Sequence, residues 1–165
     1  MTALADRIDR LTTAIGRAAA WLALAIVLLQ FALVVGRYVF GFGSIWLGET
    51  VIYFHATLFM LAAAWTLRIG GHVRVDVFYA EASPRTKALV DLIGALILLL
   101  PFALVLIWLS VPYAARSWVI LERSQETSGL PLVYLLKTVI PLFAVLMALQ
   151  GLAQAIRALA VLRPR

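Results

Sequence analysis

The sequence predicts an all-α integral membrane protein: four transmembrane helices preceded by an N-terminal amphipathic interfacial helix, with both termini cytoplasmic. Three observations predict it. Of 165 residues, 64% are hydrophobic and 13% are charged, whereas a soluble domain carries about 45–50% apolar and about 25% charged residues. The apolar residues gather into four runs, each near the roughly 20 residues that a helix needs to cross a bilayer. The basic residues lie mostly on one side of those runs, ten against three, with Lys137 inside the last run. A soluble enzyme is excluded on composition alone.

The first run covers about 18–35, with Gln30 its one strongly polar side chain, and stops at Gly36-Arg37. The second covers about 48–67, with Glu49 at its start and His55 inside. The third covers about 89–111 and contains Pro101, and the fourth covers about 131–152 and contains Lys137 and Pro141. Segment 1–17, the connection 68–88 and the tail hold Arg7, Arg10, Arg17, Arg68, Arg74, Arg85, Lys87, Arg157, Arg163 and Arg165, against Arg37, Arg116 and Arg123 opposite. Positive charge marks the cytoplasmic side, and an even number of spans returns both termini to it. The whole chain, 1–165, reads as one membrane domain, with 68–88 a cytoplasmic loop and 112–130 a periplasmic one.

Within 1–17, Leu4, Ile8, Leu11 and Ile15 recur at helical spacing opposite Asp6, Arg7, Asp9 and Arg10. That pattern predicts an arm helix lying on the cytoplasmic face of the membrane before it turns into the first span. Acidic residues among its arginines and the lack of a small-residue cleavage site argue against a signal peptide. Ser83-Pro84 reads as the cap and first residue of the third helix.

Cysteine is absent and histidine is limited to His55 and His72. Disulfides and thiolate chemistry are thereby excluded, and two histidines are too few for a bis-histidine haem pair plus anything else. No catalytic set, cofactor motif or metal-spaced cluster is present, and the reading is not an enzyme. Ionisable residues inside a membrane are the default functional candidates, and nearly all of them lie at span ends. Trp46, Glu49 and Tyr53 share one helix face, where Glu49 pairs with Arg37 across the short turn, contacts a partner, or is simply solvated. Lys137 snorkels to the surface or pairs with Glu122, Glu126 or a partner's acid. His55 is expected to donate one interhelical hydrogen bond.

These residues resemble a known family. Gly36-Arg37-Tyr38-Val39-Phe40-Gly41, Trp46 with Glu49, Ala62-Ala63-Ala64, Gly71-His72-Val73-Arg74-Val75-Asp76-Val77-Phe78-Tyr79, Ser83-Pro84-Arg85 and Ser128-Gly129-Leu130-Pro131 through Lys137-Thr138 resemble the small, DctQ-like membrane subunit of tripartite ATP-independent periplasmic (TRAP) transporters. Tyr53-Phe54-His55-Ala56 and Tyr134-Leu135-Leu136-Lys137 lean toward the mannitol/chloroaromatic compound subtype. The resemblance implies a multi-pass protein of the bacterial inner membrane. It would scaffold a large elevator-type permease subunit and help dock a periplasmic solute-binding protein during ion-coupled uptake of an organic acid. Implied partners are those two proteins and membrane lipid, with no cofactor and no nucleic acid. Arg37, Trp46, Glu49 and Lys137 would form the periplasmic rim, while His72, Arg74 and Asp76 would organise the cytoplasmic loop or contact the large subunit. Alternatives from other classes are a stand-alone homo-oligomeric channel lined by His55 and Lys137, and an anchor subunit of another membrane complex.

Overall fold

The computed structural model describes residues 2–73 and 79–163, and the described residues with regular structure are all helical. Helix α1 spans Thr2–Val39 and α2 spans Ile45–Arg68. Helix α3, Pro84–Ile93, passes through a π-helical stretch at Gly94–Leu99 into α4, Leu100–Val119. Helix α5 spans Val133–Leu162. Four continuous helices are therefore long and apolar enough to cross a membrane, with α3, the π turn and α4 forming a single one.

Local chemistry sets the ends. Ser44 caps α2 by accepting the Leu47 amide at 3.2 Å, and Ser83 caps α3 by accepting the Thr86 amide at 3.2 Å, with Pro84 at the first helical position. Between α1 and α2, Gly41 adopts a φ of +69°, which side chains disfavour, and the Phe42 amide returns to the Gly36 carbonyl at 3.0 Å. The Ser83-Pro84 start matches the sequence expectation.

Helix α5 is the axis of the bundle. It touches α1, α2, α3 and α4, whereas the α3–α4 helix packs on α5 and not on α1 or α2. Accordingly 33% of its most apolar stretch is buried, against 6–11% in the other three. The buried positions are mostly small: Ala144, Gly151, Ala153, Ala155 and Ala158 on α5 face elements that bury Ala64, Ala88, Ala95, Ala103 and Ala114. Lipid is as apolar as leucine, so helices associate in a membrane by close approach over small residues rather than by hiding large ones. The large apolar side chains, such as Phe31, Phe59, Phe102 and Trp108, point outward.

Two expectations are corrected. No turn separates the arm at 1–17 from the first span: α1 is one uninterrupted helix of 38 residues. Of the stripe Leu4, Ile8, Leu11 and Ile15 only Ile8 is buried, and the face turned to α5 is Ala5, Ile8, Asp9 and Thr12. The helix that holds the third apolar run continues through Pro112 to Val119, and α5 begins at Val133 and ends at Leu162. Pro101 follows a π turn: the Leu100 amide bonds to the Ala95 carbonyl, five residues back. The wider turn sits where the proline ring lacks an amide and crowds the preceding carbonyls.

The start of α1 and the last turns of α5 lie at one end of the bundle, where the Arg157 guanidinium reaches the Ala5 carbonyl at 3.4 Å. That is the terminal end. The other is the hairpin end.

Candidate functional site

At the hairpin end the connection between α4 and α5 is pinned to α2 by one carboxylate. Glu49 Oε1 accepts the Ser124 hydroxyl, and Oε2 accepts the Leu130 amide at 2.5 Å. The Ser124 amide in turn bonds to the Leu130 carbonyl at 3.0 Å, which closes the loop into a ring that Glu49 plugs. Gly129 is required there: a Cβ would stand 2.8 Å from Glu49 Oε1 and closer still to Ser124. The pairing of Glu49 with Arg37 is therefore replaced by a loop contact, because two donors of the folded loop converge on the carboxylate.

Lys137 and Glu122 form the second contact of this end. Their ion pair is 2.5 Å long and largely sheltered, with side chains 17% and 30% exposed. Among the readings open to Lys137, pairing with Glu122 is the one observed. The Lys137 ammonium also sits 4.2 Å from the centre of the Tyr113 ring, a cation–π contact. The hydrogen bond from Lys137 holds the Glu122 carboxyl below its ordinary range. Beside it, Trp118 donates to Thr138 at 2.8 Å and meets Tyr134 edge-on at 4.6 Å, locking α4 to α5.

The other rim candidates are more loosely held. Tyr53 is half-buried on the face of Glu49, and Trp46 is 50% exposed. Arg37 is exposed and lines a groove of about 710 Å³ between α1 and α2, together with Gln30, Gly48 and Ile52. Glu126 is exposed and contributes its backbone rather than its carboxylate. His72 is exposed beside α3 and α5. Arg74 and Asp76 lie outside the described residues.

The terminal end holds a polar network that sequence reasoning missed. Asp9, 12% exposed at its side chain, pairs with Arg157 and with Arg68, the latter at 3.1 Å. Gln150 donates to Asp9 at 3.1 Å and accepts from Thr12 at 2.9 Å. Asp9 was expected on the solvent face of the arm; it faces the bundle instead and joins α1, α2 and α5. The available signal was the spacing Ala5, Asp9, Thr12, Gly16, a small and polar stripe on one helix face, whose far end lets α1 touch α2 at Trp65.

Midway along the span the molecule shows polar side chains to the outside. Gln30 on α1 and His55 on α2 are exposed, and among the described residues neither has a hydrogen-bond partner. The interhelical hydrogen bond expected of His55 is not made among the described residues, because the residue lies on the outer face with Ile52 and Phe59. Among the described residues no three His, Cys, Asp or Glu side chains converge to hold a metal ion.

The geometry describes helix packing, two rim networks and an open intramembrane face. Comparison with curated proteins and with solved structures gives no match. The family described as tripartite ATP-independent periplasmic transporters, DctQ component, matches residues 26–161. That match runs from the second half of α1 almost to the end of α5, and on it the chain belongs to the DctQ family, the small component of TRAP transporters.

Proposed function

We propose that this chain is a non-catalytic scaffold subunit that binds a large permease subunit through the α1–α2 face and presents its hairpin end to a periplasmic solute-binding protein. The observation that carries this reading is the exposure of Gln30 and His55. Counted at 1.5 Å per residue, His55 lies about 15 Å below the start of α2 and Gln30 about 10 Å below Arg37, so both stand near mid-bilayer depth. An amide or imidazole left in hydrocarbon without a partner costs on the order of 2–7 kcal/mol. A neighbouring membrane helix supplies the missing groups, and the groove of about 710 Å³ beside Gln30 gives it a seat.

In this reading the terminal end is cytoplasmic, because the arginines gather there. The loop between α4 and α5, held by Glu49 and Lys137, faces the periplasm of a bacterial inner membrane. The carried solute is an organic acid coupled to an ion, and its binding sites lie in the large subunit. The mannitol/chloroaromatic subtype rests on Tyr53-Phe54-His55-Ala56 and Tyr134-Leu135-Leu136-Lys137 alone.

Cross-linking tests the reading cleanly, because the chain has no cysteine of its own. Ile52→Cys on the proposed face and Leu104→Cys on the exposed side of α4 are compared after purification from native membranes in mild detergent. The expected result is a cross-link from position 52 to a large polytopic permease, identified by mass spectrometry, with none from position 104. Recovery of the chain alone, or as its own oligomer, would overturn the reading.

A further inference from the structure

Two cavities adjoin at the terminal end and share Leu67, Asp91 and Gln154 in their walls. One, of about 340 Å³, is polar and is lined by Arg68, Arg157 and Gln150. The other, of about 430 Å³, is mainly apolar and runs along Gly94, Ala95, Leu99 and Met147. The polar chamber is level with the last residue of α2, and the apolar one extends from it into the span beside the π turn. A headgroup-sized chamber at the membrane boundary that opens on an apolar cleft has the shape of an amphiphile site.

The charges narrow the occupant. Arg68 and Arg157 share the single carboxylate of Asp9, and their side chains remain 36% and 38% exposed, with guanidinium donors to spare. Asp91 brings a negative charge to the same chamber, and one of its oxygens accepts the Tyr79 hydroxyl at 2.9 Å. A simple anion would match the guanidiniums and face Asp91 unpaired. A head carrying both a phosphodiester and a primary ammonium matches both. A quaternary ammonium has no N–H to give Asp91.

We propose that the terminal end binds a phospholipid with an aminoethyl phosphate head, its phosphate against Arg68 and Arg157, its ammonium against Asp91, and an acyl chain in the cleft beside Gly94–Leu99. Arg68 and Arg157 also hold Asp9, so their replacement would confound binding with folding. Asp91→Asn keeps an acceptor for Tyr79 and removes only the charge. Val90→Trp, at a half-exposed wall of the cleft, fills the acyl path.

The test delipidates the purified chain and re-exposes it to vesicles of phosphatidylethanolamine, phosphatidylcholine or phosphatidylglycerol, or to inorganic phosphate, with retained lipid counted by native mass spectrometry. Expected is a preference for phosphatidylethanolamine of roughly fivefold or more, the effect of about one charge-assisted hydrogen bond at a partly exposed site. Asp91→Asn should erase that preference in favour of phosphatidylglycerol, and Val90→Trp should lower retention of all three lipids. Equal retention of the three by the unmodified chain would overturn the proposal. So would displacement by inorganic phosphate that Val90→Trp leaves unchanged, since the site would then take a free anion.

Discussion

Glu49 Oε2 accepts the Leu130 amide at 2.5 Å across 81 residues of sequence, while Oε1 of the same carboxylate accepts the Ser124 hydroxyl. One side chain on α2 thus fixes both limbs of the loop that leads into α5. Glu49→Ala leaves the Leu130 amide and the Ser124 hydroxyl without their acceptor. Hydrogen bonds to a charged group are worth about 1.5–3 kcal/mol each, less where water reaches them, so a loss of about 2 kcal/mol is expected. Thermal unfolding in detergent measures it, and uptake by the assembled transporter should fall with recovery of the complex. Full uptake with normal recovery would remove Glu49 from assembly. Gly129→Ala should reproduce the defect, because its Cβ has no room beside Ser124 and Glu49.

Asp9→Ala attacks the opposite end. It leaves two guanidiniums facing each other and Gln150 without its acceptor. Removing one partner from a buried ion pair costs about 3–5 kcal/mol, and the partial exposure of both arginines brings the expectation to about 2–3 kcal/mol. Asp9→Asn keeps an acceptor for Gln150 and should lose less. Proteolysis at the N-terminal turns of α1 reads the effect directly: if Asp9→Ala is cut no faster than the unmodified chain, the network does not hold α1 to α5.

The difference between these two clusters explains what the sequence could say. The spans were legible because a lipid solvent demands long apolar runs, and the Ser83-Pro84 start because capping is local. Lys137 and Glu122 lie 15 residues apart, close enough for their pairing to stand among the readings. Asp9 meets Gln150 and Arg157 at separations of 141 and 148 residues. An apolar stripe through Leu4 and Leu11 pointed the arm the other way. In a bundle joined by small residues the inward face is not the most hydrophobic one, so the rule that orients soluble helices misorients this one. The π turn before Pro101 changes hydrogen-bond register without changing any periodicity, and in a helix that is apolar nearly all round no periodicity told which face His55 would take.

Gly16 marks a close approach of α1 and α2. A Cβ there would lie 2.5 Å from the Trp65 Cβ, an atom that cannot move without its helix. Gly16→Val should therefore part the two helices and cost about 1–3 kcal/mol, as overpacking does in other cores. Gly48→Val, with open space around its Cβ, serves as the control for propensity. Similar melting temperatures for the two variants would show that the contact is not tight.

Acid should release the Lys137–Glu122 contact. The pairing lowers the Glu122 carboxyl below its ordinary 4.5. A depressed carboxyl contributes stability that is fully present above the unfolded value and is lost as pH falls through the folded one. The melting temperature of the unmodified chain should exceed that of Glu122→Gln at about pH 7, and the gap should close below about pH 4. A gap that is constant across this range would mean that the charge of Glu122 plays no part.

His55 separates the demands of the isolated subunit from those of an assembly. It is exposed and among the described residues has no hydrogen-bond partner, so His55→Leu removes no hydrogen bond seen there and makes the outer face of α2 more apolar. The isolated subunit should therefore unfold at the same temperature or slightly higher. If a neighbouring membrane chain pairs with the imidazole, its loss should weaken the complex by about 0.6–2 kcal/mol, the worth of one interhelical hydrogen bond. Opposite signs in the two measurements, melting of the subunit alone and its retention of the large permease in detergent, are the signature of an interface residue. A loss of stability in the isolated subunit would instead assign His55 to the internal packing of α2.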